Sequence, residues 1–277
     1  MLNLFWCRKR DVSNDRSSCL DKNSPDILDR LSRFAKDECI CIMHACESGS
    51  WWGFASPGIY NVRFVYMHSP LWYLSISEQI DIVGPVIKGN VNFLGWDIRK
   101  TLLHFMKSNP VVLEWLQAGS VYLDNDGFID DLRKLMPEYY SPRRCLSHYY
   151  SMAQSQYLAY FNTNSDCRIK YLYIIKSLLA CRWIESSNVP APPEFSKLME
   201  ATVLDSTIIN MITDLLVYKN NGQKKDQDKA GVIPQLETFI EAELMRIKPV
   251  NYSEAKSIDI EPLNQLLRKY LEQPGRV

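Results

Sequence analysis

Apolar residues recur in two rhythms along this chain, first at strand spacing and then at helical spacing. Residues 1–23 show no sustained period and are polar beyond Trp6. We expect them to form an N-terminal extension without regular order. Ser24-Pro25-Asp26 supplies an N-cap, a proline at the first helical position and an early acid. Ile27, Leu28, Leu31, Phe34 and Ala35 follow at helical spacing, so a helix is expected to end near Lys36-Asp37. The near-continuous apolar run Cys39–Ala45 predicts a buried strand, and the alternation over 61–67 predicts a second. Two more strands are expected at 79–87 and 90–94. From Trp96 the period lengthens. Ile98, Leu102, Leu103 and Met106 mark a helix that stops at Ser108-Asn109-Pro110, and a short helix is expected over 110–117. Further helices are predicted near 127–136, 142–161, 166–186, 193–200, 205–218, 234–247 and 260–272. The charge-mixed stretch Lys219–Lys229 reads as a mobile loop.

The pattern predicts an α+β protein: a mixed sheet with flanking helices over 24–125, then a mostly helical domain over 126–277. At 277 residues the chain is long enough for two packed domains, each with its own core. Net charge is zero, so no bulk field draws the chain to nucleic acid or an anionic membrane. No apolar run approaches the roughly 18 residues of a membrane span, and the N-terminus has the wrong charge order for a signal peptide. A cytoplasmic protein with no membrane partner is the expectation. Eight scattered cysteines in a chain of this size read as reduced, buried thiols. Cys39, Cys41 and Cys46 lack zinc-ligand spacing.

The chemistry-bearing stretch is Glu47-Ser48-Gly49-Ser50, followed by Trp52-Gly53-Phe54-Ala55-Ser56-Pro57 and Tyr60-Asn61-Val62-Arg63-Phe64. It is followed in order by Trp72-Tyr73-Leu74-Ser75-Ile76, Gly95-Trp96-Asp97-Ile98-Arg99-Lys100, Lys107-Ser108-Asn109-Pro110 and Glu114-Trp115-Leu116. The helical half adds His148-Tyr149-Tyr150, Lys170-Tyr171-Leu172-Tyr173 and Leu179-Ala180-Cys181-Arg182-Trp183-Ile184. From about Asp26 to Phe195 these words resemble the predicted nucleotidyltransferases of bacteria and phages often associated with RNA ligase operons, within the polymerase-β-like superfamily. The resemblance implies a strand, a Gly-Ser turn, a short helix and a second strand carrying Asp-x-Asp. The two carboxylates and a third from a neighbouring strand would hold divalent metal against nucleotide phosphates.

This chain departs from that pattern where the chemistry would sit. Alignment to the family motif puts Ile59 and Asn61 at the Asp-x-Asp positions and Asn92 at the third carboxylate. The stretch between Gly49 and Tyr60 is two residues shorter than the motif. Magnesium takes hard oxygen ligands, usually including carboxylates; isoleucine offers none and asparagine offers only a neutral one. The resemblance with its departures implies a nucleotidyltransferase fold without its metal-binding carboxylates. We therefore expect an inactive protein that binds a nucleoside triphosphate, an RNA end or a protein partner, with no cofactor. The alternative is an active enzyme transferring a nucleoside monophosphate to RNA or protein, with Mg or Mn held by other acids such as Glu47, Glu78, Asp81 or Asp97. Asp97 opens a helix, where an acid suits the dipole.

Candidate binding residues are Gly49 and Ser50 in a phosphate-approaching turn, Arg63, expected to face away from Asn61, and Lys170 and Lys176 on the long helix. Trp51 and Trp52 are open to base stacking. Arg143-Arg144 beside Tyr139-Tyr140 and Tyr149-Tyr150 resembles the charge and aromatic interleaving of single-strand binders.

Overall fold

A computed structural model of the chain describes residues 24–49, 58–161, 168–202, 205–220, 233–247 and 258–272. The extension over 1–23, Ser50, Trp51 and Trp52, and most of the expected loop over 219–229 lie outside the described residues.

The first half is a five-stranded mixed sheet in the order β3-β4-β2-β1-β5. Helix α1 (Ser24–Asp37) leads into β1 (Cys41–Glu47), and β2 (Tyr60–Met67) returns antiparallel to it. A one-turn helix α2 (Pro70–Tyr73) precedes β3 (Ile82–Lys88) and β4 (Val91–Asp97). β4 runs parallel to β2 and antiparallel to β3. Two short helices, α3 (Ile98–Met106) and α4 (Pro110–Leu116), reach β5 (Val121–Asp124), which closes the other edge against β1. The strands expected over 39–45 and 61–67 are therefore neighbours in one sheet.

Both faces of the sheet are covered. Ile27, Leu31, Phe34 and Ala35 of α1 pack on Ile42, Val62, Phe64, Tyr66 and Phe93. Gly95 permits this layer, because a Cβ there would sit 2.2 Å from the Phe64 ring. The opposite face presents Cys41, Met43, Val65 and Met67 to a larger core that runs without a break into the second half.

That half is helical: α5 (Phe128–Tyr139), α6 (Pro142–Phe161), α7 (Arg168–Ser187), α8 (Phe195–Thr202), α9 (Ser206–Asn220), α10 (Pro234–Arg246) and α11 (Glu261–Leu271). α7 is its axis. Leu172, Ile174, Ile175, Leu178, Leu179 and Cys181 are all buried, so the helix is apolar around most of its girth, as a core helix must be. Arg182 on α7 forks the carboxylate of Glu243 on α10 at 2.6 and 2.7 Å.

Several expectations needed correction. β5 and α2, each four residues long, were not foreseen. β1 starts at Cys41, because Cys39 sits at a positive φ of 52° in the turn after α1, and its thiol is exposed rather than buried. Cys41, Cys46, Cys145 and Cys181 are buried free thiols. Among the described residues, no helix is long and apolar enough to cross a membrane.

Candidate functional site

Strand register brings the motif positions together at one end of the sheet. Asn61 lies opposite Asn92 in the parallel β2–β4 pair, and Glu47 lies opposite Val62 in the β1–β2 pair. The Asn92 Nδ2 donates to Asn61 Oδ1 at 3.2 Å. The Asn92 Oδ1 is buried with no hydrogen-bond partner among the described residues. Glu47 is buried, and both its oxygens are engaged: Oε1 accepts from the Asn61 amide at 3.1 Å and Oε2 from the Tyr122 hydroxyl at 2.7 Å. Tyr122 belongs to β5, so the overlooked edge strand helps to anchor this acid.

Gly49 begins the connecting loop beside this pair. Its φ of 105° is a conformation that side-chain-bearing residues rarely adopt, and a Cβ there would lie 3.6 Å from Asn61 Nδ2. The backbone N–H of Ser48 donates to the Asn61 carbonyl at 2.8 Å, tying the turn to β2. Ile59, just before β2, is 46% exposed.

Arg63 belongs with this group, which corrects its expected orientation. Residues two apart on a strand share a face, so Arg63 lies on the Asn61 side. Its Nη1 donates to the carbonyls of Asn92 at 3.2 Å and Val62 at 3.3 Å. Burial pulls the guanidinium below its usual range, opposed by Cys46 and Glu47. Arg63 thus braces β2 and β4 beside the amide pair.

The long-helix lysines are placed differently. Lys176 is buried, and its Nζ is 2.7 Å from Glu114 Oε1 on α4. Tyr149 on α6 donates to the same oxygen at 3.0 Å. Burial holds the Lys176 ammonium below its usual range, against the pull of Glu114. The ammonium is thus committed to joining α7 to α4. Lys170, near the start of α7, is half-exposed. The aromatic platform expected around Arg143-Arg144 is also corrected. Tyr139, Tyr149 and Tyr150 are buried in the core, where a base cannot stack on them.

Asp97 and Asp81 have partners elsewhere. Asp97 caps α3 by accepting from the Arg99 amide at 2.8 Å, and Asp81 pairs with Lys100 at 3.1 Å. Among the described residues, no three His, Cys, Asp or Glu side chains group as metal ligands.

A mixed sheet with a Gly turn between its central strands and a helical second half is the architecture of a polymerase-β-like nucleotidyltransferase. The model of the RNA repair pathway DNA polymerase beta family matches residues 24–269, and the chain belongs to that family. The resemblance drawn from the sequence words is borne out. YcgL, an uncharacterized protein of Bacillus subtilis (strain 168), is 35% identical over 253 residues, covering 89% of this chain and 96% of YcgL. A nucleotidyltransferase-like protein from Exiguobacterium sibiricum 255-15 aligns over 89% of this chain and 74% of its own, at 14% identity and a TM-score of 0.31. A score that low carries no further argument.

Proposed function

We propose that this protein is a nucleotidyltransferase-fold binder that performs no nucleotidyl transfer, and that the sheet end carrying Asn61 and Asn92 takes a nucleotide or an RNA end without a metal. The observation that carries this reading is the Asn61–Asn92 hydrogen bond. In the family motif these two positions are carboxylates, which repel each other unless a cation lies between them. Two amides attract each other directly and leave no charge for a cation to neutralise. Glu47 alone does not substitute: it is a single carboxylate, held by the Asn61 backbone N–H and the Tyr122 O–H, where the motif uses three. The residues from Ser48 to Ile59 include no Asp, Glu, His or Cys, so the loop has no metal ligand of those types to supply. These residues do not fit a divalent metal site, and no catalytic step is derived through one.

What the cluster can do is bind. Asn61 and Asn92 offer amide donors, and Gly49 lets backbone approach a phosphate. The Asn92 Oδ1 is buried without a donor, a deficit of about 1–3 kcal/mol that a ligand hydroxyl or amine would relieve. The test is incubation with each labelled nucleoside triphosphate and Mg or Mn, in the presence of RNA or a mixed lysate. The expected result is no labelled product, alongside measurable nucleotide or RNA-end binding that Asn61→Ala weakens. Transfer that is abolished by Asn61→Ala or Glu47→Gln would overturn the reading and favour an active enzyme with unusual ligands.

A further inference from the structure

The carboxyl end of β4 borders a cavity of about 390 Å³. Its residue Asp97 lies five positions along β4 from Asn92, about 16 Å away at strand rise. Trp72, Tyr73, Ile76, Asp97, Arg99 and Lys100 are among its lining residues.

The charges here are unevenly committed. Tyr73 donates its hydroxyl to Asp97 Oδ2 at 2.6 Å, and Lys100 pairs with Asp81. Arg99 differs: its exposed guanidinium lies 4.9 Å from the Tyr73 ring centroid and acts on Asp97 only through its field, with no ion pair or side-chain hydrogen bond among the described residues. A guanidinium held against an aromatic face keeps its edge free to fork a carboxylate.

The surroundings are unusually apolar. Fourteen large apolar side chains are exposed among the described residues, and six of them lie in this part of the sequence and fold. Leu71, Leu74, Ile76 and Ile80 come from the segment that frames the cavity, and Leu103 lines it from α3. Ile82 opens the edge strand β3 opposite Trp96 and continues the patch. Ile76 is fully exposed at 106%. An apolar cluster of this kind marks an interaction surface.

Charge and edge chemistry narrow the occupant. The lining sets Arg99 and Lys100 against Glu78, Asp81 and Asp97, so no positive field favours a polynucleotide. Pro85 lacks an N–H, and the β3–β4 register is irregular between Val83 and Val86. Both features discourage addition of a strand, including β3 of a second copy. We propose that this face docks a protein segment that inserts an apolar side chain into the cavity and sets a carboxylate against Arg99. The proposal stands whether or not the amide pair holds a nucleotide.

The test pans a random dodecapeptide phage library on the full chain, with counter-selection on an Ile76→Ser/Arg99→Ala variant. Both substituted side chains are exposed, so unchanged circular dichroism and melting are expected of the variant. Selected peptides should share an Asp or Glu flanked by large apolar residues. Changing that acid to its amide, or Arg99→Ala in the protein, should each weaken binding about tenfold or more. Failure to enrich any peptide that discriminates the variant would overturn the proposal. So would winners without an acid that are indifferent to Arg99→Ala, or displacement of the peptide by an oligouridylate. Sedimentation showing a wild-type dimer that Ile76→Ser dissociates would overturn it too, because the face would then belong to a second copy.

Discussion

Two polar clusters in this molecule, one buried and one half-buried, are held together in opposite ways. Where α4, α6 and α7 meet, Glu114 and Lys176 pair as carboxylate and amine at 2.7 Å, and Tyr149 donates to the same carboxylate oxygen. At the sheet end, where the family motif concentrates three carboxylates, Asn61 and Asn92 are neutral and bond to each other. A buried charge persists when its counter-charge belongs to the protein, as Lys176 does for Glu114. A cluster of like charges depends on an external cation, and it becomes a liability once that cation is no longer needed. The chain thus joins α4 to α7 by an ionic contact and, under the proposed reading, sets a neutral amide pair where a metal site would demand carboxylates.

Breaking the charged cluster should have the largest effect. Lys176→Met leaves Glu114 buried without its cation, and we expect a loss of about 3–5 kcal/mol in urea unfolding. The double substitution Glu114→Gln/Lys176→Met should recover most of that loss. If Lys176→Met cost less than about 1 kcal/mol, the two clusters would not differ as described.

Recharging the neutral cluster comes next. Asn61→Asp/Asn92→Asp puts two acids side by side, which should cost about 2–3 kcal/mol without metal. Magnesium should then raise the melting temperature of the double variant and leave the wild type unmoved. Adding Ile59→Asp should not bring activity, because catalytic groups need placement within about 0.5 Å and the loop from Gly49 to Tyr60 is shorter than the family motif. Transfer well above background by the triple variant would show that the loop is adequate.

A smaller effect is expected from pH. Burial holds all four histidines, His44, His68, His104 and His148, below their usual range. As pH falls below about 6.5 the unfolded chain takes up protons that the folded chain refuses, so stability should fall with pH through that window. Each such proton is worth up to about 1.4 kcal/mol per pH unit. His44 is buried, its Nδ1 3.7 Å from an Asp124 oxygen that opposes the effect of burial, and His44→Leu should flatten the slope by up to about one proton. An unchanged slope would place the proton uptake elsewhere.

The smallest effect calibrates burial. Asp131 pairs with Lys134, Lys269 and Tyr270 near the surface; against the opposing cost of burial, these partners hold its carboxyl down to about 2. That stabilisation is present above about pH 4 and is lost as pH falls toward 2. Asp131→Asn should cost less than about 1 kcal/mol at pH 7, and the variant should converge with the wild type near pH 2. A loss as large as that of Lys176→Met would mean that burial is not what separates the two classes of ion pair.

Much of this was legible in the sequence, for physical reasons. Period and capping marked α1, α3, α4 and the longer helices within a few residues, since an apolar stripe bounded by Pro or Asn leaves few alternatives. β5 and α2 escaped because four residues are too few to show a period, and Val121–Asp124 is an edge strand with an exposed end. The motif words located Asn61 and Asn92, but only the parallel register showed that their amides meet. The Lys176 ion pair went unread because its partner is 62 residues away. A signal did exist: Glu114 and Lys176 each interrupt an apolar run, Val111–Leu116 and Tyr171–Cys181, and a charge in such a run needs a buried partner. The tyrosines around Arg143 misled because interleaving charge and rings describes a packed helix as well as a stacking surface.

The most direct test of the central claim is an electron paramagnetic resonance titration of Mn(II) against the wild type and Asn61→Asp/Asn92→Asp, with and without ATP. The account predicts that the wild type leaves the free Mn(II) signal as buffer or ATP alone does, and that the double variant depletes it. Stoichiometric Mn(II) binding by the wild type, lost in Asn61→Ala or Glu47→Gln, would contradict it.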